Sequence, residues 1–185
     1  SISQSKSIKW LVYPCILGFL IQSMLFDWKI IMDVKGAPLP QGERSGYLEE
    51  WTAGTGIKEV ADFVKNERKL DPRIKVVVGT EGFFGTLPNG LEMYVEGTAN
   101  VIVIGVGVII SDVHPSLIES KIAGNKTYLV VNSTRFKGDP DRLGLKLLFS
   151  YPKAERKKNS REYLLYGPRE DLYLFEVTDK AVKLN

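Results

Sequence analysis

The stretch IKVVVGT at residues 74–80 is the strongest indicator of the fold. Its β-branched residues follow a turn signal and run into a glycine, a pattern typical of a strand that is buried on both faces. Two later runs, NVIVIGVGVII at residues 100–110 and TYLVVN at residues 127–132, predict further buried strands. We expect the strand over residues 100–110 to break near Gly105 or Gly107.

Helix signals alternate with these strands. Residues 56–70 predict a helix whose apolar positions recur at helical spacing: Ile57, Val60, Ala61 and Val64. A short helix is expected after Pro88, up to residue 95, and another over residues 115–123, which a proline opens and a glycine follows.

The C-terminal third predicts one more helix and a hairpin. Asp139 can cap a helix over residues 140–150, and residues 161–166 and 171–177 are expected to pair as late strands. The predicted fold class is α/β: a small, mainly parallel sheet with helices on both faces in three layers, and an antiparallel pair at one edge.

Composition excludes several classes of protein. The 185 residues suffice for one domain with a core of its own. Lys plus Arg number 25 and Asp plus Glu 22, a formal charge of +3 that argues against a dedicated nucleic-acid binder. One cysteine and one histidine exclude a disulfide framework and most zinc centres, so we expect no metal and no cofactor.

The most apolar stretch is WLVYPCILGFLIQSMLF at residues 10–26, which carries no charge and reaches the lower limit for a membrane-spanning helix. A spanning helix is the preferred interpretation, and a signal peptide or a buried helix of a soluble domain are the alternatives. Lys6 and Lys9 favour a cytoplasmic N-terminal flank, although Lys29 and Lys35 weaken that asymmetry.

A passage rich in Gly and Pro follows at residues 33–46, and we expect neither a helix nor a central strand there. The expected organisation is a membrane helix with its flanks at 1–32, a linker at 33–46 and an extracytoplasmic α/β domain at 47–185. Residue 1 is Ser, so the chain is expected to be processed or to be a piece of a longer one. Residues 153–161 predict a solvated cationic turn, for which a phosphate-bearing lipid is the natural candidate ligand.

Ligands of parallel sheets bind beyond the carboxyl ends of the strands, so the side chains that follow strands are the candidates for a binding site. These candidates are Thr80, Glu81, Gly82, Gly85, Asp112, His114 and Arg135. Structural roles stay open: Glu81 could cap the next helix, and Asp112 with His114 could form a helix-capping turn. The glycines lack the spacing of a dinucleotide loop and no G-x-S-x-G elbow occurs, so no catalytic residue is assigned.

Four stretches carry a resemblance to a known family. They are PLPQGERSGYLEEWTAGTGIKEVADF at residues 38–63, VVVGTEGFFGTLPNGLEMYV at residues 76–95, the strand and turn that end at His114-Pro115, and TYLVVNSTRF at residues 127–136. Together they resemble the C-terminal region of bacterial polytopic membrane glycosyltransferases of the protein O-mannosyltransferase-like class. Such enzymes move a sugar from a polyprenyl-phosphate carrier to an acceptor on the outer face of the membrane.

The resemblance implies that this chain is the last membrane helix and the extracytoplasmic domain of such an enzyme at the inner cell membrane. Its catalytic acidic residues would lie in an early loop outside this chain, which leaves the domain an accessory role in acceptor binding or support. The implied partners are membrane lipid and, through the missing membrane region, the lipid-linked sugar and the acceptor. Trp51 and Phe84 could stack on sugar faces, and Glu81 and His114 could hydrogen-bond to hydroxyls.

Two other functions stay open at this point. One is a single-pass membrane protein whose domain binds a ligand or acts as a scaffold. The other is a small soluble α/β enzyme that acts on a phosphorylated or nucleotide ligand, which would then stabilise the chain against unfolding.

Overall fold

The N-terminal helix α1 runs over Ile2–Met32 in the computed structural model, which describes residues 2–184 and the side chains of residues 10 and 12–184. Within Val12–Met32, apolar side chains lie on all sides of α1 and none of the side chains is buried. Within it, Val12–Met32 is long and apolar enough to cross a membrane. The flanking Lys6 and Lys9 lie outside the described side chains.

The chain divides into two compact units, Ser1–Pro40 and Gln41–Asn185. The second unit contains five strands: β1 Val76–Thr80, β2 Val101–Gly105, β3 Lys126–Asn132, β4 Leu145–Glu155 and β5 Arg169–Val177. They form one sheet in the order β2-β1-β3-β5-β4. Strand β1 is parallel to β2 and β3, and only β5 runs against its neighbours, so the predicted mainly parallel α/β sheet is confirmed.

Helices precede, connect and follow these strands. They are α2 Gln41–Arg44, which continues into a π-helical turn at Ser45–Glu49, α3 Ile57–Leu70, α4 Thr86–Val95, α5 Pro115–Ile122, α6 Pro140–Leu143, α7 Arg161–Tyr166 and α8 Asp179–Leu184. The helices predicted over residues 56–70, after Pro88 and over residues 115–123 correspond to α3, α4 and α5.

Alternation along β1 divides the core into two clusters. Val76 and Val78 pack with α3 and α4, whereas Val77 packs with α5 and α8, because successive side chains of a strand point to opposite faces. Gly79 lets α5 approach the sheet closely, since a Cβ atom there would lie 2.8 Å from Leu117 Cδ1. Each of the two clusters therefore includes side chains of helices as well as of the sheet.

Two expectations need correction, one about a strand and one about the linker. The strand predicted over residues 100–110 does end at Gly105, but β2 is an edge strand and is half-exposed instead of buried. The linker predicted at 33–46 was expected to contain no helix, yet a 3₁₀ turn at Val34–Gly36, α2 at Gln41–Arg44 and the start of the π-helical turn lie within it. Pro38 and Pro40 precede α2 and so remove no hydrogen bond from it, whereas Gly36, Gly42 and Gly46 lie within the helical turns.

The helix predicted over residues 140–150 is wrong beyond its first turn. Asp139 caps α6 as expected, but the helix ends at Leu143 because Gly144 adopts a left-handed conformation with φ of 66°. Residues 145–155 then form β4, the partner of β5 along its length. Sheet pairing has overridden a helical sequence pattern.

The strand predicted over residues 161–166 is also wrong. These residues form α7, whose first turn is capped by the Ser160 hydroxyl accepting a hydrogen bond from the Tyr163 N–H. The strand predicted over residues 171–177 is confirmed as part of β5, but its hairpin partner is β4.

Gly144 and Gly124 offer a matched test of this fold. Both follow a helix in left-handed conformations, but a Cβ atom on Gly144 would lie 2.3 Å from Ala181 N, whereas nothing lies near Gly124. We expect Gly124→Ala to lower the free energy of unfolding by about 1 kcal/mol and Gly144→Ala by roughly 3 kcal/mol or more. Urea unfolding of the detergent-solubilised chain measures both, and equal losses would contradict the close contact between α8 and Gly144.

Candidate functional site

A cavity of about 160 Å³ lies at the carboxyl ends of the parallel strands. Its wall is mainly apolar: Phe83, Phe84, Leu87, Pro88 and Val108. Trp51 also lines it, and Glu81 and Arg135 are its charged groups. A concave apolar surface with a few polar groups is the usual form of a small-ligand site.

The structure brings most of the predicted site residues together here. Trp51, Glu81, Gly82 and Arg135 line the cavity, and Gly85 lies between two lining residues. Thr80 is fully buried beneath it and is not a lining residue.

Asp112 and His114 do not line this cavity. His114 is exposed at the start of α5, where its Nδ1 accepts a hydrogen bond from the Ser116 N–H at 3.2 Å. Asp112 accepts a hydrogen bond from the neighbouring Ser111 hydroxyl. The helix-capping interpretation of His114 is therefore confirmed.

Glu81 joins the carboxyl ends of β1 and β3 instead of capping a helix. Its two carboxylate oxygens accept hydrogen bonds from the Asn132 backbone N–H at 2.7 Å and from Asn132 Nδ2 at 2.6 Å. Burial raises the pKa of the Glu81 carboxyl, and the two hydrogen bonds and the charges of Arg135 and Lys153 only partly offset that effect.

Asn132 extends this link to the segment that carries Trp51. Its Nδ2 also donates to the Trp51 carbonyl oxygen at 3.2 Å, so one amide group connects three parts of the chain. Sequence reasoning did not select Asn132. The available signal was a polar residue at the end of the buried run TYLVVN, a position where an unpartnered amide would destabilise the fold.

Arg135 stacks on Trp51, with the guanidinium carbon 4.2 Å from the centroid of the ring. This cation–π contact orients the indole and holds a positive charge at the mouth of the cavity. A second depression of about 360 Å³ lies on the other side of the pair, lined by Glu50, Lys137 and Tyr166 among others.

A buried ionic cluster supports these residues from behind. Arg156, only 3% exposed, donates from Nε to Glu50 Oε1 at 2.7 Å and from Nη2 to Glu170 Oε2 at 2.7 Å. Its Nη1 also donates to the carbonyl oxygens of Tyr166 and Gly167. The other oxygen of Glu170 accepts hydrogen bonds from the loop that leads to Arg135: from the Ser133 hydroxyl and the Thr134 N–H.

Lys153 is the second buried cation of this region. Its Nζ donates to the carbonyl oxygens of Glu50 and Ala53, at 2.9 and 3.0 Å, on either side of Trp51. Burial lowers the pKa of Lys153 to about 8, although three nearby carboxylates oppose that shift. The prediction of a solvated cationic turn over residues 153–161 is therefore wrong for Lys153 and Arg156, which position the site from inside the protein.

Among the side chains that the structure describes, no group of three or more from His, Cys, Asp or Glu is arranged to hold a metal ion. The acidic residues of the site, Glu81 and Glu170, are instead occupied by amide, hydroxyl and guanidinium donors.

The ion pairs of Arg156 predict a large loss of stability when they are broken. Arg156→Met leaves two carboxylates without their cation, one of them fully buried, and should lower the free energy of unfolding by about 3–5 kcal/mol. Arg142 forms only an exposed pair with Asp139, so Arg142→Met should lower it by less than about 1 kcal/mol. Urea unfolding of both variants tests the difference, and similar losses would contradict a structural role for the cluster.

Lys153 predicts a specific dependence of stability on pH. Because its pKa is about 8 in the folded chain, against 10.5 for the free side chain, the unfolded state binds the proton more tightly between these values. The free energy of unfolding should therefore rise with pH from about 8 to about 10.5, by on the order of 3 kcal/mol at most. Lys153→Met should abolish that rise and Lys146→Met, at an exposed position of β4, should keep it. If the free energy of unfolding changed with pH in the same way for the parent chain and both variants, a buried Lys153 cation would be refuted.

Comparison of the chain with protein families, with curated proteins and with solved structures gives no match. The sequence resemblance and the geometry of the cavity are therefore what support a function for this chain.

Proposed function

We propose that this chain is the C-terminal extracytoplasmic part of an inner-membrane glycosyltransferase that moves a sugar from a polyprenyl-phosphate carrier to an acceptor. Helix α1 anchors it in the membrane, and the unit from Gln41 onward is an accessory domain that binds sugar. The observation that carries this proposal is the cavity in which Trp51, Glu81 and Arg135 meet among apolar side chains.

The cavity suits one sugar ring in size and in chemistry. An apolar cavity of about 150 Å³ accommodates benzene, so this one, at about 160 Å³, can take the ring of a sugar while its hydroxyls extend towards the mouth. The C–H face of a sugar ring is apolar and packs against aromatic rings, which Trp51 and Phe84 provide here. Its hydroxyls need polar partners in the cavity wall, which the Glu81 carboxylate and the Arg135 guanidinium provide.

Both charged groups keep capacity for a ligand. An ionised carboxylate has about four acceptor positions, and Glu81 accepts two hydrogen bonds, both from Asn132. Arg135 has five N–H donors, which lie in the plane of the guanidinium group. Because Arg135 packs on Trp51 through the face of that group, the donors at its edge can bind a ligand. Glu81 can therefore accept from a sugar hydroxyl while Arg135 donates to a hydroxyl or to the phosphate of the carrier.

The apolar N-terminal helix fits the same function. A polyprenyl tail stays in the bilayer, so its sugar is presented only close to the membrane surface. A domain that helps to bind this sugar must be held at that surface, and a helix that can span the bilayer at Val12–Met32 would hold it there.

Sugar binding by the full chain in phosphatidylcholine vesicles tests the proposal. We expect methyl mannoside, and more tightly a short-chain polyprenyl phosphomannose, to give saturation-transfer NMR signals. Trp51→Ala should weaken binding of both about tenfold, because it removes an aromatic contact and the partner of Arg135. Tyr94→Ala, which removes a similarly exposed aromatic ring outside the cavity, should leave the affinity unchanged.

Two results would overturn this function. If neither probe binds, the domain does not recognise the sugar. If both bind and Trp51→Ala has no effect, the cavity is not the sugar site. Stabilisation of the chain by a nucleotide without detergent would instead favour the soluble enzyme.

A further inference from the structure

The two ends of the sheet differ sharply in character. We call the segments that follow β1 to β4 the carboxyl edge; they comprise residues 81–85, 106–114, 133–139 and 156–168, the last of which includes α7. Large exposed apolar side chains are concentrated there: Phe83, Phe84, Val108, Ile109, Leu164 and Leu165. The described loops that precede β1, β2 and β3 contain none, and at that end of the sheet the helix ends before β1 and β3 expose two such side chains, Leu70 and Ile122. The larger apolar surface therefore lies at the carboxyl edge.

Cationic side chains surround this apolar surface. Lys137, Lys157, Lys158 and Arg161 are exposed at the carboxyl edge, and Arg135 is half-exposed beside them. Two acidic side chains, those of Asp112 and Asp139, are exposed in the same loops, and Glu162 is half-exposed. The excess of positive charge around aromatic and aliphatic groups matches the headgroup region of an anionic bilayer, where rings and chains enter the interface and amines meet phosphates.

Chain connectivity limits the distance between this edge and the end of the possible span. The segment after α2 lies beside the start of α4, where Gly46, Tyr47 and Gly54 share one depression with Thr86. That position is next to Phe84, so the chain joins the sheet at its carboxyl edge. Residues 33–40 alone connect the possible span to α2, and a connection of that length extends at most roughly 30 Å.

We propose that the carboxyl edge lies on the surface of the membrane, with Phe83, Phe84, Val108 and Ile109 in the headgroup region. Lys157 and Lys158 then contact the phosphates of anionic lipids. This inference rests on the membrane anchor of the proposed function, but not on sugar binding. Its consequence is that the cavity at Trp51 opens next to the bilayer, so that a ligand with a lipid tail reaches it without leaving the membrane.

Depth-dependent fluorescence quenching in the full chain tests this placement. Cys15→Ser removes the single native cysteine, and Phe84→Cys or Leu70→Cys then introduces one site for a fluorophore. These positions are similarly exposed, at 82% and 78%, but Leu70 ends α3 near the opposite edge of the sheet. In vesicles of phosphatidylcholine and phosphatidylglycerol with nitroxide-labelled lipids, we expect several-fold stronger quenching at position 84 than at position 70.

The contribution of the lysines has its own control. Lys157→Gln combined with Lys158→Gln should reduce quenching at position 84 in vesicles that contain phosphatidylglycerol. The same pair should have little effect in phosphatidylcholine alone, because the attraction is to anionic lipid. Unchanged quenching in the anionic vesicles would refute the assigned lipid contact.

The remaining outcomes separate this proposal from the proposed function. Equal quenching at positions 84 and 70 in a chain that floats with the vesicles would overturn the edge placement and leave the anchor intact. A label at position 84 that is shielded from water but not quenched by lipid would show a protein partner on this edge, which also overturns it. A chain that does not float with the vesicles would refute the anchor itself, and with it both proposals.

Discussion

The guanidinium of Arg156 is the constraint on which the rest of the site depends. It lies almost fully buried between Glu50 and Glu170. Buried charges are tolerated only when their partners are held in place, so this group fixes the two carboxylates and the chain segments that carry them. Glu50 precedes Trp51, and Glu170 holds the loop that leads to Arg135. The stacked pair at the mouth of the cavity is therefore positioned from inside the protein.

The sheet and the ionic cluster around Arg156 have different structural roles. Apolar β-branched strands bury two clusters of aliphatic side chains, which stabilise the unit but specify nothing about a ligand. Polar groups appear where β1 and β3 end, and there Asn132 joins Glu81 to the Trp51 carbonyl. The result is a rigid, charged support beneath an apolar surface. Polar and apolar side chains therefore meet in one cavity.

Local sequence patterns correctly predicted the helices and strands whose conformation depends on residues close together in the chain. The runs around residues 76–80 and 126–132 and the stripe of α3 are decided by side-chain periodicity, so they were predicted correctly. Residues 145–155 were predicted as helix because their local pattern permits it, whereas pairing with β5 makes them a strand. The candidate site was found in part for the same reason, because strand ends can be predicted from sequence. The contacts of Asn132 and Arg156 cannot, since their partners lie 10 to 106 residues away.

By itself, the sequence determined the apolar N-terminal helix, the α/β class and the positions of Glu81 and Arg135 after their strands, because composition and periodicity act over a few residues. Only the tertiary structure decided that Lys153 and Arg156 are buried, that His114 caps a helix away from the cavity, and that Trp51 meets Arg135. These outcomes depend on which distant segments become neighbours. The free energy of a buried charge is set by those neighbours and not by the residues next to it in the chain.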